Sequence, residues 1–257
     1  MADLEYTRED GIATILLNRP ARKNAFTLAM IDAWRDALVE ARADPDVRVV
    51  VVRGEGDAFC GGVDLGRVDS EMGDGPLEFK EILRERIQRI PLAVEDLDKP
   101  YIAAISGPAI GAGLDMALMA DIRVGSASAL LGESYINVGF VPGGGGAYYL
   151  PRIVGIPKAF ELFLTGEFIG GEEAHRIGLL NQLYSDEDYL ERTYALAGRI
   201  ASANPVSARM LKRSIYQSAN TDLRTALDLV SSHMGIIRST PKSREDFTAT
   251  RARVTGA

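Results

Sequence analysis

The chain has 257 residues, of which 46% are hydrophobic and 25% charged, a composition typical of a globular protein with a sizeable core. Its formal net charge of -7 argues against wholesale binding to nucleic acid or to a membrane surface, because both require a basic protein surface. With one cysteine, Cys60, and two histidines, the chain cannot form an internal disulfide or a Cys/His zinc cluster. No apolar stretch is long enough to cross a bilayer, and the first residues lack the apolar run of a secretory signal, so we expect a cytoplasmic protein.

The amino-terminal part shows the pattern of strand, helix and strand. Alternating apolar residues predict two strands joined by a turn at Glu9-Asp10-Gly11. Thr27 is the expected N-cap of a helix whose apolar residues recur at helical spacing from Leu28 to Ala41. Continuous apolar runs then predict buried strands at Val47 to Val52 and at Tyr101 to Ile105. This order indicates a parallel βαβ crossover.

The segment between the two buried strands is the expected site loop. It contains a charged stretch from Ser70 to Pro76 and then a predicted helix from Leu77 to Ile90. After the second buried strand, short strands are predicted at Asp121 to Val124 and at Leu130-Leu131. A turn at Pro142, followed by four glycines, precedes another helical region.

The strand pattern fades beyond Gly178, and the rest of the chain is predicted to be helical. Three amphipathic helices are expected there, at Asp186 to Ser202, Pro205 to Ala219 and Asp222 to Ser239. We therefore expect a β/α core over residues 1–185 and a helical region over residues 186–257.

Two glycine-bearing segments follow the two buried strands. They are Phe59 to Leu65 (FCGGVDL) and Ile110 to Asp115 (IGAGLD). Neither matches a nucleotide-binding glycine fingerprint, and no serine-hydrolase G-x-S-x-G turn occurs. Because the carboxyl ends of neighbouring strands meet at one edge of a sheet, and glycine lets backbone N–H groups approach a ligand, the two segments are a candidate oxyanion site. The alternative is that the glycines only form tight turns.

Successive motifs along the chain resemble those of the enoyl-CoA hydratase/isomerase (crotonase) family. They are Asn18-Arg-Pro20 with Asn24-Ala25, Phe59 to Leu65, Gly107 to Ala117 with Asp121, and Val138 to Pro142. The resemblance implies an α/β fold of the crotonase-like (ClpP/crotonase) type, a spiral of ββα units with a C-terminal helical trimerisation region. It also implies an acyl-CoA substrate, with coenzyme A entering as part of the thioester and no separate cofactor or metal. The expected assembly is a homotrimer or a dimer of trimers.

The same resemblance assigns the binding residues. The amides of Gly61 and Ala112 are expected to hold the thioester oxygen, and Arg22 and Lys23, beside Ala25, to meet the phosphate and adenine parts of coenzyme A. The other residues expected to contact the substrate are Gly62, Val63, Asp64, Leu65, Gly111, Gly113, Tyr135 and Pro142. The alternatives are that the basic pair is a solvated turn and that Asp64 braces its own loop through side-chain hydrogen bonds.

The catalytic acids depart from the family pattern. Hydratases of the family use two glutamates, and the matching positions here are Asp115 and Tyr135. Asp115 keeps an acid, whereas Tyr135 cannot act as a carboxylate. Glu133 lies two residues earlier and would share a face with position 135 in a strand, so it is a candidate second acid. The acid that some isomerases of the family place after the proline is absent, because Gly143 follows Pro142.

These residues favour hydration of 2-enoyl-CoA to 3-hydroxyacyl-CoA, with Asp115 and Glu133 as general acid and base and the two amides stabilising the enolate oxygen. One alternative is a double-bond isomerase, or another enolate reaction, that uses Asp115 alone. The other is an acyl-CoA binder without catalytic activity. Purely structural roles also stay open, with Asp115 as a capping or solvent-facing residue and Glu133 as a surface acid.

Overall fold

The structure, a computed structural model, describes residues 2–71, 73 and 75–255. Its strands are β1 (Leu4–Glu9), β2 (Ile12–Leu17), β3 (Val49–Gly54), β4 (Tyr101–Ile105), β5 (Pro108–Ile110), β6 (Ile122–Ser126), β7 (Leu130–Gly132), β8 (Phe168–Gly170) and β9 (Gln182–Tyr184). Six of them form one sheet in the order β1-β2-β3-β4-β6-β9, and the other three form a small sheet in the order β5-β7-β8. Two residues of the predicted charged stretch, Met72 and Asp74, lie outside the described residues.

Helices make up most of the remaining structure. The α-helices are α1 (Leu28–Ala43), α2 (Val68–Glu71), α3 (Pro76–Ile82), α4 (Arg89–Asp96), α5 (Ala112–Leu118), α6 (Gly146–Val154), α7 (Ile156–Thr165), α8 (Gly171–Arg176), α9 (Tyr189–Ala201), α10 (Pro205–Ser218), α11 (Leu223–Ser239) and α12 (Pro241–Thr255). Short 3-10 helices span Pro20–Arg22 and Ser134–Val138, and a π-helical turn spans Leu83–Ile87. This π turn interrupts the helix predicted from Leu77 to Ile90.

The predicted hairpin and crossover are both confirmed. Strands β1 and β2 are antiparallel, and the turn residues Asp10 and Gly11 both have positive φ (49° and 79°), as a tight two-residue hairpin turn requires. Helix α1 begins after Thr27, whose side chain accepts a hydrogen bond from Met30 N. The chain then returns to the sheet as β3, parallel to β2, and β4 is parallel to β3.

The large sheet is buried on both faces, which explains the unbroken valine run in β3. On one face, Val50 and Val52 belong to the main core with α1. On the other face, Val49 and Val51 belong to a second cluster that includes residues of α9. Strands covered on both sides carry continuous rather than alternating apolar residues.

Helix α9 is therefore part of the core, although it lies in the region predicted to be a separate helical part. Its Tyr194 hydroxyl lies 2.9 Å from Thr14 Oγ1 of β2. Just before α9, the three residues of β9 pair with β6, in a stretch where the strand pattern was predicted to have faded. A three-residue strand is too short to show periodicity. The division at residues 185 and 186 stays a prediction.

Helices α10, α11 and α12 follow the core, and α10 packs against α11. The predicted bounds of α10 and α11 agree with the structure within one residue. Helix α12 was not predicted, since its sequence carries few apolar residues. In the described part of the chain, no helix combines the length and the apolar character needed to span a bilayer.

The two glycine segments meet because α5 packs directly on the chain after β3. A Cβ atom at Gly113 would lie 2.2 Å from Cys60 O, well inside van der Waals contact. Only glycine allows this approach between the first turn of α5 and the backbone of residue 60.

We predict that Gly113→Ala lowers the free energy of unfolding by about 3 kcal/mol, the upper end of the cost of overpacking. The control is Gly198→Ala in α9, where a Cβ would meet no atom within 4 Å, and where alanine should stabilise the helix slightly. Urea unfolding of both variants measures the difference. Equal stabilities of the two variants would contradict the packing assigned to Gly113.

Candidate active site

The segment after β3 is hydrogen bonded on one side to β5. Cys60 N donates to Pro108 O and Ile110 N donates to Cys60 O, both at 3.0 Å. Helix α5 begins two residues later at Ala112, so its first turn is held against this segment. A Cβ at Gly62 would lie 2.9 Å from Ile110 O and 3.6 Å from Ala112 N. The missing side chain at Gly62 leaves the space between the two segments open.

The N–H group of Gly61 is used in an internal hydrogen bond. It donates to Lys23 O at 2.7 Å. A backbone amide has one proton, and here that proton is already bound. The prediction that Gly61 holds a substrate oxygen is therefore wrong.

The free N–H group of this segment belongs to Val63. Phe26 N donates to Gly62 O at 2.8 Å and Asp64 N donates to Phe26 O at 3.1 Å, which makes a parallel bridge between Phe26 and Val63. In such a bridge, the N–H of the middle residue points away from the partner strand. Within the described residues, Val63 N has no backbone acceptor.

The second free N–H group lies in the first turn of α5. The first four N–H groups of a helix have no partner inside the helix, and Ala112 N has no acceptor in the described part of the chain. The preceding residue, Gly111, has φ of 51° and ψ of -121°, a conformation that glycine permits. The N–H groups of Val63 and Ala112 thus lie on two facing segments.

The basic pair lies on the surface, next to a buried asparagine that holds its loop. Lys23 and Asn24 both have positive φ (51° and 55°). The Asn24 side chain accepts from Arg19 N at 2.8 Å and donates to Ala58 O at 2.7 Å, which ties this loop to the segment after β3. Arg22 and Lys23 are exposed, and Lys23 Nζ forms an ion pair with Asp57 at 2.5 Å. An exposed pair of this kind contributes little to stability.

Asp64 braces its own loop. Its Oδ2 accepts from Arg19 Nη2 at 2.9 Å and its Oδ1 from Gly66 N at 3.2 Å. The hydrogen bond from Arg19 holds the pKa of Asp64 below its ordinary value. This arrangement agrees with the alternative that Asp64 has a structural role. The neighbouring Leu65 is exposed.

Asp115, on α5, is the buried acid of the site. Its Oδ2 accepts from the Tyr135 hydroxyl at 2.7 Å and from Gly144 N at 2.8 Å. Burial raises the pKa of Asp115 to about 6, although these two hydrogen bonds favour the charged form and oppose the rise. The side chain is 0% exposed, which excludes the solvent-facing role.

Glu133 is the second buried acid; it is 1% exposed, and its carboxyl group lies near that of Asp115, because both groups border the position that a Cβ at Gly146 would take. Within the described residues, no N–H or O–H group donates to either carboxyl oxygen of Glu133. Burial, and then the charge of Asp115, raise its pKa well above the ordinary value. Two buried carboxyl groups this close do not both ionise, so the pair keeps one proton. Asp115 accepts two donated hydrogen bonds and Glu133 accepts none in the described chain, which places that proton on Glu133.

Glu133 reaches Asp115 for a reason other than the predicted one. It does not lie in a strand but precedes the 3-10 helix Ser134–Val138, with φ of -95° and ψ of 68°. The argument that positions 133 and 135 share a strand face is thus wrong. Both side chains nevertheless contact Asp115, and the idea that Glu133 is a surface acid is excluded.

The glycine run before α6 closes the site around the carboxyl pair. A Cβ at Gly146 would lie 2.0 Å from Asp115 Oδ1 and 3.1 Å from Glu133 Oε1. Together with the N–H of Gly144, this makes residues 143–146 part of the acid site, whereas the sequence predicted only a turn. A signal was present, because free N–H groups at the start of a helix favour a negatively charged partner.

We predict that Asp115→Asn has a larger free energy of unfolding than the unaltered chain. This gain should be about 1 kcal/mol larger at pH 8 than at pH 5. The pKa of Asp115 is raised in the folded state, to about 6, above its value of 3.8 in the unfolded chain. Ionised Asp115 therefore opposes folding, and this cost grows as the pH rises between these values. Urea unfolding at the two pH values measures it.

Asp36→Asn is the matched control for this measurement. Asp36 is an exposed residue of α1 whose ion pair with Arg35 is on the surface. We expect no comparable widening with pH in this variant. The same pH dependence in both variants would contradict the burial assigned to Asp115.

Comparisons with known proteins give the family. The model of the enoyl-CoA hydratase/isomerase family matches residues 7–251. A crotonyl-CoA hydratase of Syntrophomonas wolfei and a short-chain-enoyl-CoA hydratase of Clostridium acetobutylicum are each 31% identical over 243 residues, which cover 94% of this chain and 92% of either relative.

Solved structures agree with these sequence comparisons. An enoyl-CoA hydratase of Bacillus anthracis has a TM-score of 0.92 at 29% identity, and one of Mycobacterium smegmatis has 0.92 at 30% identity. Each comparison covers 98% of this chain and 97% of the solved one. The crotonase-like α/β fold is confirmed, and the chain belongs to the enoyl-CoA hydratase/isomerase family.

Proposed function

We propose that the protein hydrates 2-enoyl-CoA thioesters to 3-hydroxyacyl-CoA. The observation that carries this proposal is the buried Asp115–Glu133 carboxyl pair, because Asp115 lies in the first turn of α5, which also offers the free N–H of Ala112. The hydratase names of the relatives support the same reaction. Coenzyme A enters as part of the substrate, and we propose no further cofactor.

The two free N–H groups supply the electrostatic part of the reaction. Addition of water to a double bond conjugated with a thioester moves negative charge onto the thioester oxygen. Val63 N and Ala112 N are the donors available to that oxygen, and Val63 takes the role first predicted for Gly61. Loss of one such donor typically lowers the rate 10²- to 10³-fold.

The carboxyl pair supplies the proton chemistry. Hydration removes one proton from water and delivers one to C2 of the substrate, so the site needs both a base and a proton source. Ionised Asp115 and protonated Glu133 provide these two states side by side. A protein that only bound acyl-CoA would have no use for a buried acid pair that opposes folding.

The remaining predicted contacts stay proposals. Arg22 and Lys23 are exposed and free to meet the phosphates of coenzyme A, once Lys23 exchanges Asp57 for a phosphate. We retain Ala25, Gly62, Leu65, Gly111, Gly113 and Pro142 as proposed substrate contacts.

We predict that purified protein consumes a short 2-enoyl-CoA with formation of 3-hydroxyacyl-CoA, and that kcat/KM falls as the pH drops through about 6, where Asp115 becomes protonated. Asp115→Asn should lower kcat 10²- to 10⁴-fold, the usual contribution of a general base, while Asp36→Asn should not. Mass spectrometry of the product separates hydration from isomerisation. A shifted alkene without hydroxyacyl-CoA, or no turnover, would overturn the proposed reaction.

We further propose that the chain assembles as a homotrimer or a dimer of trimers through α10 and α11. These helices expose a set of large apolar side chains: Leu211, Ile215, Leu223, Leu227, Val230 and Met234. Exposed apolar patches of this kind mark protein interfaces.

We predict that light scattering gives the mass of a trimer or hexamer and that Leu227→Asp shifts it toward the monomer, because a charge cannot be buried without a partner. Leu227 is 58% exposed in the single chain. Val39→Asp on α1, also at an exposed apolar residue, is the control and should keep the native mass. A monomeric unaltered protein would exclude the assembly.

A further inference from the structure

We propose that the Tyr135 hydroxyl is the group that exchanges protons with the substrate, and that Asp115, which lies beside the neutral Glu133, takes up and returns a proton behind it. This inference rests on the hydration reaction proposed above. It assigns the direct chemical contact to a residue that the sequence placed only among the substrate contacts.

Burial separates Tyr135 from the two acids. Asp115 is 0% exposed and Glu133 is 1% exposed, whereas Tyr135 is only partly buried. Both carboxyl oxygens of Glu133 and Oδ1 of Asp115 are inaccessible. The other oxygen of Asp115 is covered by the Tyr135 hydroxyl and by Gly144 N. A substrate atom therefore meets the tyrosine before it meets a carboxyl group.

The position of the ring places the hydroxyl beside the free N–H groups. Tyr135 Cε2 lies 3.9 Å from where a Cβ at Gly111 would stand, and Gly111 directly precedes Ala112. The backbone of residue 135 is fixed as well, because Tyr135 O accepts from Phe140 N at 3.0 Å. The phenol is thus held next to the site proposed for the thioester oxygen, which is two bonds from C2 and three bonds from C3.

The direction of the hydrogen bonds suits a relay. The Tyr135 hydroxyl donates its proton to Asp115, so the phenolic oxygen has a lone pair with which to accept a proton from water. The groups that face Asp115 are Tyr135, Glu133 and the N–H groups of Gly144 and Gly146. Within the described chain, no Lys or Arg side chain forms an ion pair with it. No cation competes for the carboxylate.

The first half of the reaction moves one proton inward. As the oxygen of water bonds to C3, its O–H bond breaks and the proton passes to the phenolic oxygen of Tyr135. The tyrosine proton passes at the same time to Asp115 Oδ2. The electron pair of the double bond moves onto the thioester oxygen, which the N–H groups of Val63 and Ala112 stabilise.

The second half returns that proton. The enolate collapses, C2 takes the proton of the Tyr135 hydroxyl, and Asp115 gives its proton back to the tyrosine. One water has been added, and Tyr135 and Asp115 end as they began. Burial and the charge of Asp115 raise the pKa of Tyr135 above its ordinary value, so the tyrosine stays protonated between turnovers.

Tyr135→Phe tests the relay, because it keeps the ring and removes only the hydroxyl. We expect kcat to fall at least 10²-fold with little change in KM, while Tyr148→Phe, the same change at an exposed residue of α6, retains activity. Exchange of the C2 hydrogen of a saturated acyl-CoA in D2O should be lost in Tyr135→Phe. The acidic limb of residual activity should move to higher pH, because the Tyr135 hydrogen bond holds the pKa of Asp115 down and its removal lets that pKa rise.

A double variant supplies the decisive comparison. If Tyr135 and Asp115 act as one relay, Tyr135→Phe combined with Asp115→Asn should be no slower than the slower single variant. Asp115→Asn alone should also abolish exchange, which keeps the test valid even if Tyr135→Phe folds poorly. Two results would overturn the relay and leave the hydration reaction standing. One is a double variant whose loss in kcat is the product of the two single losses, and the other is a Tyr135→Phe variant with a hydration rate within a few fold of that of the unaltered enzyme. Absence of both hydration and exchange in the unaltered enzyme would overturn both proposals.

Discussion

The site depends on keeping a carboxyl group out of water. Asp115 is surrounded by one phenol, one second carboxyl group and the backbone N–H groups of a glycine run, with no basic side chain paired to it in the described part of the chain. Desolvation therefore dominates and raises the pKa of Asp115 to about 6. A general base is most effective when its pKa lies near the pH at which the enzyme works, and this value is close to neutral pH. The neighbouring Glu133 stays neutral for the same reason. The loss of hydration on burial thus governs the protonation of both neighbouring carboxyl groups.

Close backbone approach is the second constraint, and it is met by glycine at the positions where chain segments touch. Gly113 lets α5 lie on the carbonyl of Cys60, and Gly146 leaves room for the two carboxyl groups. Gly62 keeps open the space in front of the first turn of α5. These residues carry no reactive group, yet each determines where a donor or an acid lies. Substitution there moves the reactive groups without changing any of them.

Local sequence patterns predicted much of the fold. Features that depend on hydrogen bonds between segments distant in sequence could not be predicted from these patterns. The hairpin, α1, β3 and β4 follow from turn residues and apolar spacing, which act within a few residues. Which N–H of the segment after β3 is free depends on its pairing with residues 23–26, some forty positions earlier. The motif identifies the segment that carries the donor. The hydrogen bond from Gly61 N to Lys23 O then excludes Gly61, the residue that the motif suggested, as the donor to the substrate oxygen. For Glu133 the predicted residue was right but the reason was wrong. The side chain reaches Asp115 from the start of a 3-10 helix, whereas the prediction assumed the alternating faces of a strand.

The buried side chain of Asn24 has a consequence for the ageing of the protein. Its amide nitrogen donates to the carbonyls of Glu55 and Ala58, at 2.9 and 2.7 Å, and its oxygen accepts from Arg19 N. Deamidation would exchange the two donated protons for a carboxylate oxygen that faces two carbonyl oxygens and is repelled by them. The hydrogen bonds that tie the loop of Arg22 and Lys23 to the segment after β3 would then be lost. A chemical lesion of one atom, remote from the acid pair, would thereby inactivate the enzyme while leaving every reactive side chain intact.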